Sequence, residues 1–167
     1  MMNLSYLEGH TVPPYVLARF KKEAETKFSV ELTEQDVEMC GQALIDYFIV
    51  SLESQKPCGM PSKLVDELWH AYLLFSKDYR ELFNVVGRFV DHVPEIEAQF
   101  KTSTGTQTEP MEVMTLRTFY LCAQREEIPC GSDELPLLFA MDSLLPDELL
   151  VDTSDMWEQL KLHKVLN

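Results

Sequence analysis

A chain of 167 residues that is 46% apolar and 25% charged has the make-up of one globular domain with a sizeable core, not of a disordered segment. Its 28 acidic against 14 basic residues leave a net charge of −14, which repels phosphate backbones and argues against direct nucleic-acid binding, while a basic protein surface would suit it. The opening MMNLSYLEGH lacks the basic start and apolar run of a secretory signal, and no stretch reaches the roughly 18 apolar residues of a membrane span, so a cytoplasmic, membrane-free protein is expected.

Pro13 and Pro14 open the first expected helix, with Tyr15, Ala18, Phe20 and Phe28 at its apolar positions. Thr33, with Asp36 three residues on, makes a capping arrangement for a second helix running to about Ser54. Val37, Cys40, Leu44, Ile45, Phe48 and Leu52 recur along it at helical spacing, and KPCGMP ends it. Ser62 caps a third helix that reaches about Ser76, followed by a further helical stretch ending near Gly87. After RFVDHVP and EIEAQF comes KTSTGTQTEP (residues 101–110), polar, without apolar periodicity, and expected to be a mobile loop.

Glu112 to Glu127 reads as another helix, with Val113, Leu116, Phe119, Tyr120 and Ala123 on one side. Pro129, Pro136 and Pro146 cut the next stretch into short pieces, among them a helix around Pro136 to Leu144. Leu138, Phe139 and Met141 in it read as core. A last helix covers Met156 to Lys164, docked through Trp157 and Leu160. Strand signals are weak, and only RFVDHV alternates. The expected fold class is all-α: residues 1–167 as a single compact orthogonal bundle of about five to seven helices.

Cys40, Cys58, Cys122 and Cys130 form no C-x-x-C pair and read as four free thiols, with Cys40 and Cys122 as small apolar helix residues. His10 and His163 have no carboxylate at helical spacing and read as surface residues. The acidic runs of the last forty residues read as a solvated face, or as a patch for a basic partner.

The segment Leu64 to Leu82 raises a sharper question. At about 100° per residue Leu64, Leu68, Tyr72, Phe75, Tyr79 and Leu82 share one arc, flanked by Val65 and Ala71. Asp66, His70 and Lys77 fall near the opposite pole, together with Trp69, Leu73 and Leu74, which suits a central helix buried on two sides. Asp66 and His70 stand four apart, so their side chains can meet. Three readings follow: a structural hydrogen-bonded pair, a metal site with His92 or Asp91 as third ligand, or an acid–base or ligand-contacting role. No Ser or Cys stands at a nucleophile motif, so no catalytic residue is assigned and an enzyme is not favoured.

MPSKLVDELWHAYLLFSKDYRELFNVVGRFVDHVP resembles the central segment of small bacterial proteins related to plant glycine-rich domain proteins. The likeness is carried by Pro61, Ser62, Asp66, Trp69, His70, Tyr79, Gly87, Arg88, Phe89, His92 and Pro94. The stretch Leu135 to Asp142 resembles that group's downstream L-P-L-L-F-A-x-D segment. Two departures stand out: Asp91-His92 replaces a His-His pair, and RELFNVVG lacks the cysteine that often follows the Tyr. The resemblance implies a shared Asp66, Trp69, His70 and His92 constellation and no particular reaction, and Trp69 and Tyr79 are structural or ligand-contact candidates.

Two functions are therefore expected from the sequence. The leading one is a non-catalytic acidic helical protein that binds a protein partner with a basic surface, of inhibitor or immunity type, without a cofactor. The alternative is a domain binding a small ligand, or a divalent metal such as zinc, at Asp66, His70 and His92, with Asp91 as a further candidate ligand.

Overall fold

The computed structural model describes residues 1–92, 109–146 and 151–163. Every regular element among these residues is helical, so the expected all-α class is the one observed. The elements are α1 (Leu4–Glu8), α2 (Pro14–Phe28), α3 (Glu34–Glu53), α4 (Lys63–Leu74), α5 (Ser76–Val86), α6 (Met111–Arg125), α7 (Leu137–Ala140), a 3-10 turn (Met141–Leu144) and α8 (Thr153–Leu162). EIEAQF, Pro94, Lys164 and all but the last two residues of the expected loop at 101–110 lie outside the described residues.

Local chemistry sets most helix starts. Thr33 and Asp36 form a reciprocal capping box at α3, with each side chain accepting the other's backbone N–H. Ser62 Oγ accepts the Val65 N–H at α4, and Asp152 accepts the N–H groups of Ser154 and Asp155 at α8. Pro14, Pro110 and Pro136 stand at or just before the starts of α2, α6 and α7, where a missing N–H costs nothing. Gly87 closes α5 at φ 93°, a left-handed position that glycine adopts without strain. Phe75 alone separates α4 from α5, at φ −88° and ψ 61°.

The core is built around α3, not around α4 as the helical wheel suggested. All six expected apolar positions of α3 are buried, and Tyr47, Ile49 and Val50 are buried with them, so α3 is covered on most sides. It packs against α1, α2, α4, α6, α7 and the 3-10 turn. In α4 and α5 the arc from Leu64 to Leu82 does face the core, but Leu74 is 62% exposed. The break at Phe75 rotates the two halves apart, so the second apolar side of α4 reduces to Trp69 and the partly buried Leu73.

Other elements differ in detail. The core stripe of α2 is Val16, Phe20 and Ala24, spaced by four, while Tyr15 and Ala18 are exposed. Tyr15 caps the rim instead, its ring 5.2 Å from Phe75 and its hydroxyl donating to Asp78. Trp157 docks α8 as expected: its ring meets Phe119 edge-on at 5.0 Å and its N–H donates to the Ser132 carbonyl over 3.0 Å.

Two long-range ties hold α4 in place. Asp142, in the 3-10 turn, accepts the Ser62 hydroxyl (2.7 Å) and the backbone N–H groups of Lys63 (2.9 Å) and Leu64 (3.1 Å). It thus supplies acceptors that the first turn of a helix lacks, and its negative charge suits the positive end of the helix dipole. The loop before α4 is seated on α6, with Gly59 N–H donating to Met114 O (3.1 Å) and Gly59 O accepting from Thr118 Oγ1 (2.7 Å). Buried Arg117 adds a charged strut, donating to the Pro57 carbonyl and to Glu109.

Candidate metal centre

α4 carries Asp66, Trp69 and His70 on the flank that faces the segment after α5. Gly87 turns the chain out of α5, and residues 88–92 run back beside α4 without regular structure. Among residues 89–92 burial alternates without a strand: Val90 is buried, Phe89 and Asp91 are exposed, and His92 is partly buried.

The return of this segment delivers His92 to Asp66. His92 Nε2 lies 3.0 Å from Asp66 Oδ1, and His70 Nε2 lies 3.4 Å from Asp66 Oδ2, so each carboxylate oxygen faces one imidazole. The two imidazole rings are 4.5 Å apart, centre to centre. One donor atom from each of the three residues falls within 4.8 Å of the others, a grouping that could hold a metal ion. The side chain of His92 is 12% exposed, that of Asp66 34% and that of His70 44%, so the cluster opens outward on the His70 side.

Two nitrogens and one carboxylate oxygen form the type of set that serves zinc and related divalent ions, with positions left for other donors. Asp91 does not join the set; its side chain is exposed beside His92, on the opposite side of the local alternation. The candidate ligands from the sequence thus resolve to Asp66, His70 and His92, with Asp91 excluded from the cluster.

Trp69 and Tyr79 sit behind the imidazoles. The Trp69 ring meets His92 edge-on at 4.5 Å, and its indole N–H donates to the Tyr79 hydroxyl over 3.0 Å. Tyr79 O–H in turn donates to the Val90 carbonyl over 2.5 Å. Burial pushes the Tyr79 phenol upward, so it remains a proton donor. On the outer side Glu67 reaches toward His70, its Oε2 4.0 Å from Nδ1, and is held by Lys27 over 2.7 Å.

Among the four thiols Cys130 is the exposed one. Burial pushes Cys40 up to about 12 and raises Cys58 and Cys122, so these three stay protonated; all four cysteines are free.

The UCP032817-like family model matches residues 3–151. The chain belongs to the UCP032817-like family. That match takes in every residue of the cluster and its supports, from Asp66 to His92, together with Asp142. No curated protein and no solved structure matches the chain.

Sequence reasoning missed several parts of this UCP032817-like protein. The Val90 carbonyl and the Glu67–Lys27 pair carry no motif, since a backbone acceptor and a surface ion pair leave no signature. His10 is not a simple surface residue: it is partly buried, and its Nε2 lies 3.1 Å from the hydroxyl of the buried Tyr72. Burial lowers the His10 pKa from its ordinary value. The two residues line a cleft of about 490 Å³ together with Tyr6, Asp78, Glu81 and Val85.

Proposed function

We propose that this protein binds a divalent transition metal such as zinc through Asp66, His70 and His92. The observation that carries the reading is convergence: two ligands from one helical turn and a third from 26 residues away along the chain share one carboxylate. Surface pairs such as Asp66 with His70 are common, but a second imidazole on the same carboxylate, held against a tryptophan edge, is a more specific arrangement. The outward opening supplies an entry path for the ion.

The test is zinc titration of the purified chain against a chromophoric chelator, with elemental analysis of the protein as isolated. The expected result is one zinc per chain, lost in both Asp66→Ala and His92→Ala. A folded wild-type chain that leaves all of the zinc with a micromolar-affinity chelator would overturn the proposal.

A second reading is an inhibitor- or immunity-type protein for a basic partner, and surface chemistry favours it at one place. The net charge is −14, exposed Tyr6 lines the cleft with Asp78 and Glu81, and exposed Tyr15 donates to Asp78, which suits arginine-rich surfaces. It predicts a stoichiometric complex with a basic protein that survives moderate salt. Binding that vanishes as the Debye length shortens would mark non-specific attraction only.

A further inference from the structure

Metal affinity at such a centre depends on how much freedom each ligand loses when it coordinates. Asp66 and His70 are already fixed by the α4 backbone. His92 is different, because it lies on an irregular segment whose ordering would have to be met out of binding energy unless the fold holds it beforehand. Beside the Asp66 contact and the burial of Val90, one hydroxyl ties that segment to the helices. Tyr79, from α5, accepts the indole N–H of Trp69 on α4 and donates to the carbonyl of Val90, two residues before His92. The same Trp69 presents its ring edge to His92. A single buried oxygen thus joins the helix that carries two ligands to the segment that carries the third.

We infer that Tyr79 is the positioning residue of the metal centre: its hydroxyl sets the affinity for the ion by holding the Val90–His92 segment against Trp69. The inference rests on the metal-binding reading of Asp66, His70 and His92. Tyr79 touches no metal ligand atom and acts only through Trp69 and Val90. Its ring has a separate role, packing against Phe48, Tyr72 and Phe83, and a phenylalanine keeps those contacts.

The experiment compares zinc affinity, by chelator competition, and thermal stability in the full chain for wild type, Tyr79→Phe and Tyr72→Phe. Tyr72 is the control, since it also loses a partnered hydroxyl from a buried ring, but its partner is His10 and not the His92 segment. Tyr79→Phe is expected to bind zinc roughly 10–100-fold more weakly, the range seen when outer supports of metal ligands are removed. Tyr72→Phe is expected to match wild type in affinity, whatever it loses in stability. Trp69→Phe, which removes the indole N–H, should weaken zinc in the same direction and serves if Tyr79→Phe does not fold.

Equal affinity in wild type and Tyr79→Phe overturns the inference and leaves the metal site standing. Equal weakening in Tyr79→Phe and Tyr72→Phe overturns it too, because general loosening would then be the cause. A wild-type chain that binds no zinc removes the metal-binding reading and this inference with it.

Discussion

Asp142 accepts the hydroxyl hydrogen of Ser62 over 2.7 Å, across 80 residues of chain. With the N–H groups of Lys63 and Leu64 on the same carboxylate, the last third of the protein caps the helix that bears Asp66 and His70. A charged acceptor serving three donors, one of them the hydroxyl of a buried serine, is worth more than a surface cap. Asp142→Ala should therefore destabilise the fold by about 2–3 kcal/mol, at the upper end of single cap deletions. Asp142→Asn keeps one acceptor oxygen, enough for Ser62 and Leu64, but turns an NH2 toward the Lys63 N–H, so it should recover only part of the loss. Urea unfolding followed by circular dichroism measures both, and an alanine variant within error of wild type would remove the cap from the list of major ties.

Gly59 is required by approach distance, not by backbone conformation. A Cβ built there would stand 2.7 Å from Thr115 Oγ1 and 3.0 Å from the Thr115 backbone nitrogen, so the loop would have to lift from α6. Lifting it strains the Gly59–Met114 and Thr118–Gly59 hydrogen bonds together. Gly59→Ala should cost roughly 1–3 kcal/mol, as overpacking of a close contact does. The same unfolding assay decides it, and a neutral result would mean that the loop can lift from α6 at no cost.

These two ties mark where the sequence stops being readable. Thr33 with Asp36, Ser62, the apolar repeat of α3 and the proline-led helices are local, and each has a signature within four residues. Asp142 looks like any acidic residue until Ser62 is placed beside it, and Gly59 looks like ordinary loop punctuation until Thr115 is. The division near Ser76 is expected from the sequence, but the break at Phe75 has neither glycine nor proline, so placing Leu64 to Leu82 on one wheel misjudges Leu74, which is exposed. The five-residue α1 is too short to show any period. At the centre, Asp66 and His70 stand out by their spacing, while the third member is open between His92 and Asp91. Their meeting within hydrogen-bond distance depends on Gly87, Val90 and Tyr79, and only the fold displays it.

His10 gives the protein an acid-sensitive contact. Burial favours its neutral form, so its folded pKa lies below the unfolded value near 6.5, despite the nearby carboxylates of Asp78 and Glu81. The sign follows from proton linkage: the unfolded chain binds the proton more tightly, so unfolding takes up a proton in acid. The contribution of His10 is fully present above pH 6.5, declines as pH falls through that value, and levels off below the folded pKa. His10→Gln should remove that component and flatten the stability profile between neutrality and mild acid. Wild type and variant curves that stay parallel across the range would show that the imidazole is not the group responsible.

Zinc should act on stability as well as on occupancy, because a ligand that binds only the folded chain stabilises it by mass action. At free zinc a hundred times Kd the gain is about 2.7 kcal/mol, which for a domain of this size raises Tm by roughly 5–10 °C. Cys130 is an exposed free thiol and could take zinc independently, so the comparison belongs in a Cys130→Ser background. There the shift should persist in the parent and vanish in His92→Ala. His70→Ala should keep a part of it, since His70 is the most exposed of the three ligands and a solvent molecule can replace it more readily. Without metal the two alanine variants should also separate. His70→Ala loses an exposed pair and should cost under about 1 kcal/mol. His92→Ala loses both the Asp66 hydrogen bond and the Trp69 edge contact and should cost about 1–2 kcal/mol. A zinc-dependent rise in Tm that survives His92→Ala would place the ion elsewhere on the protein.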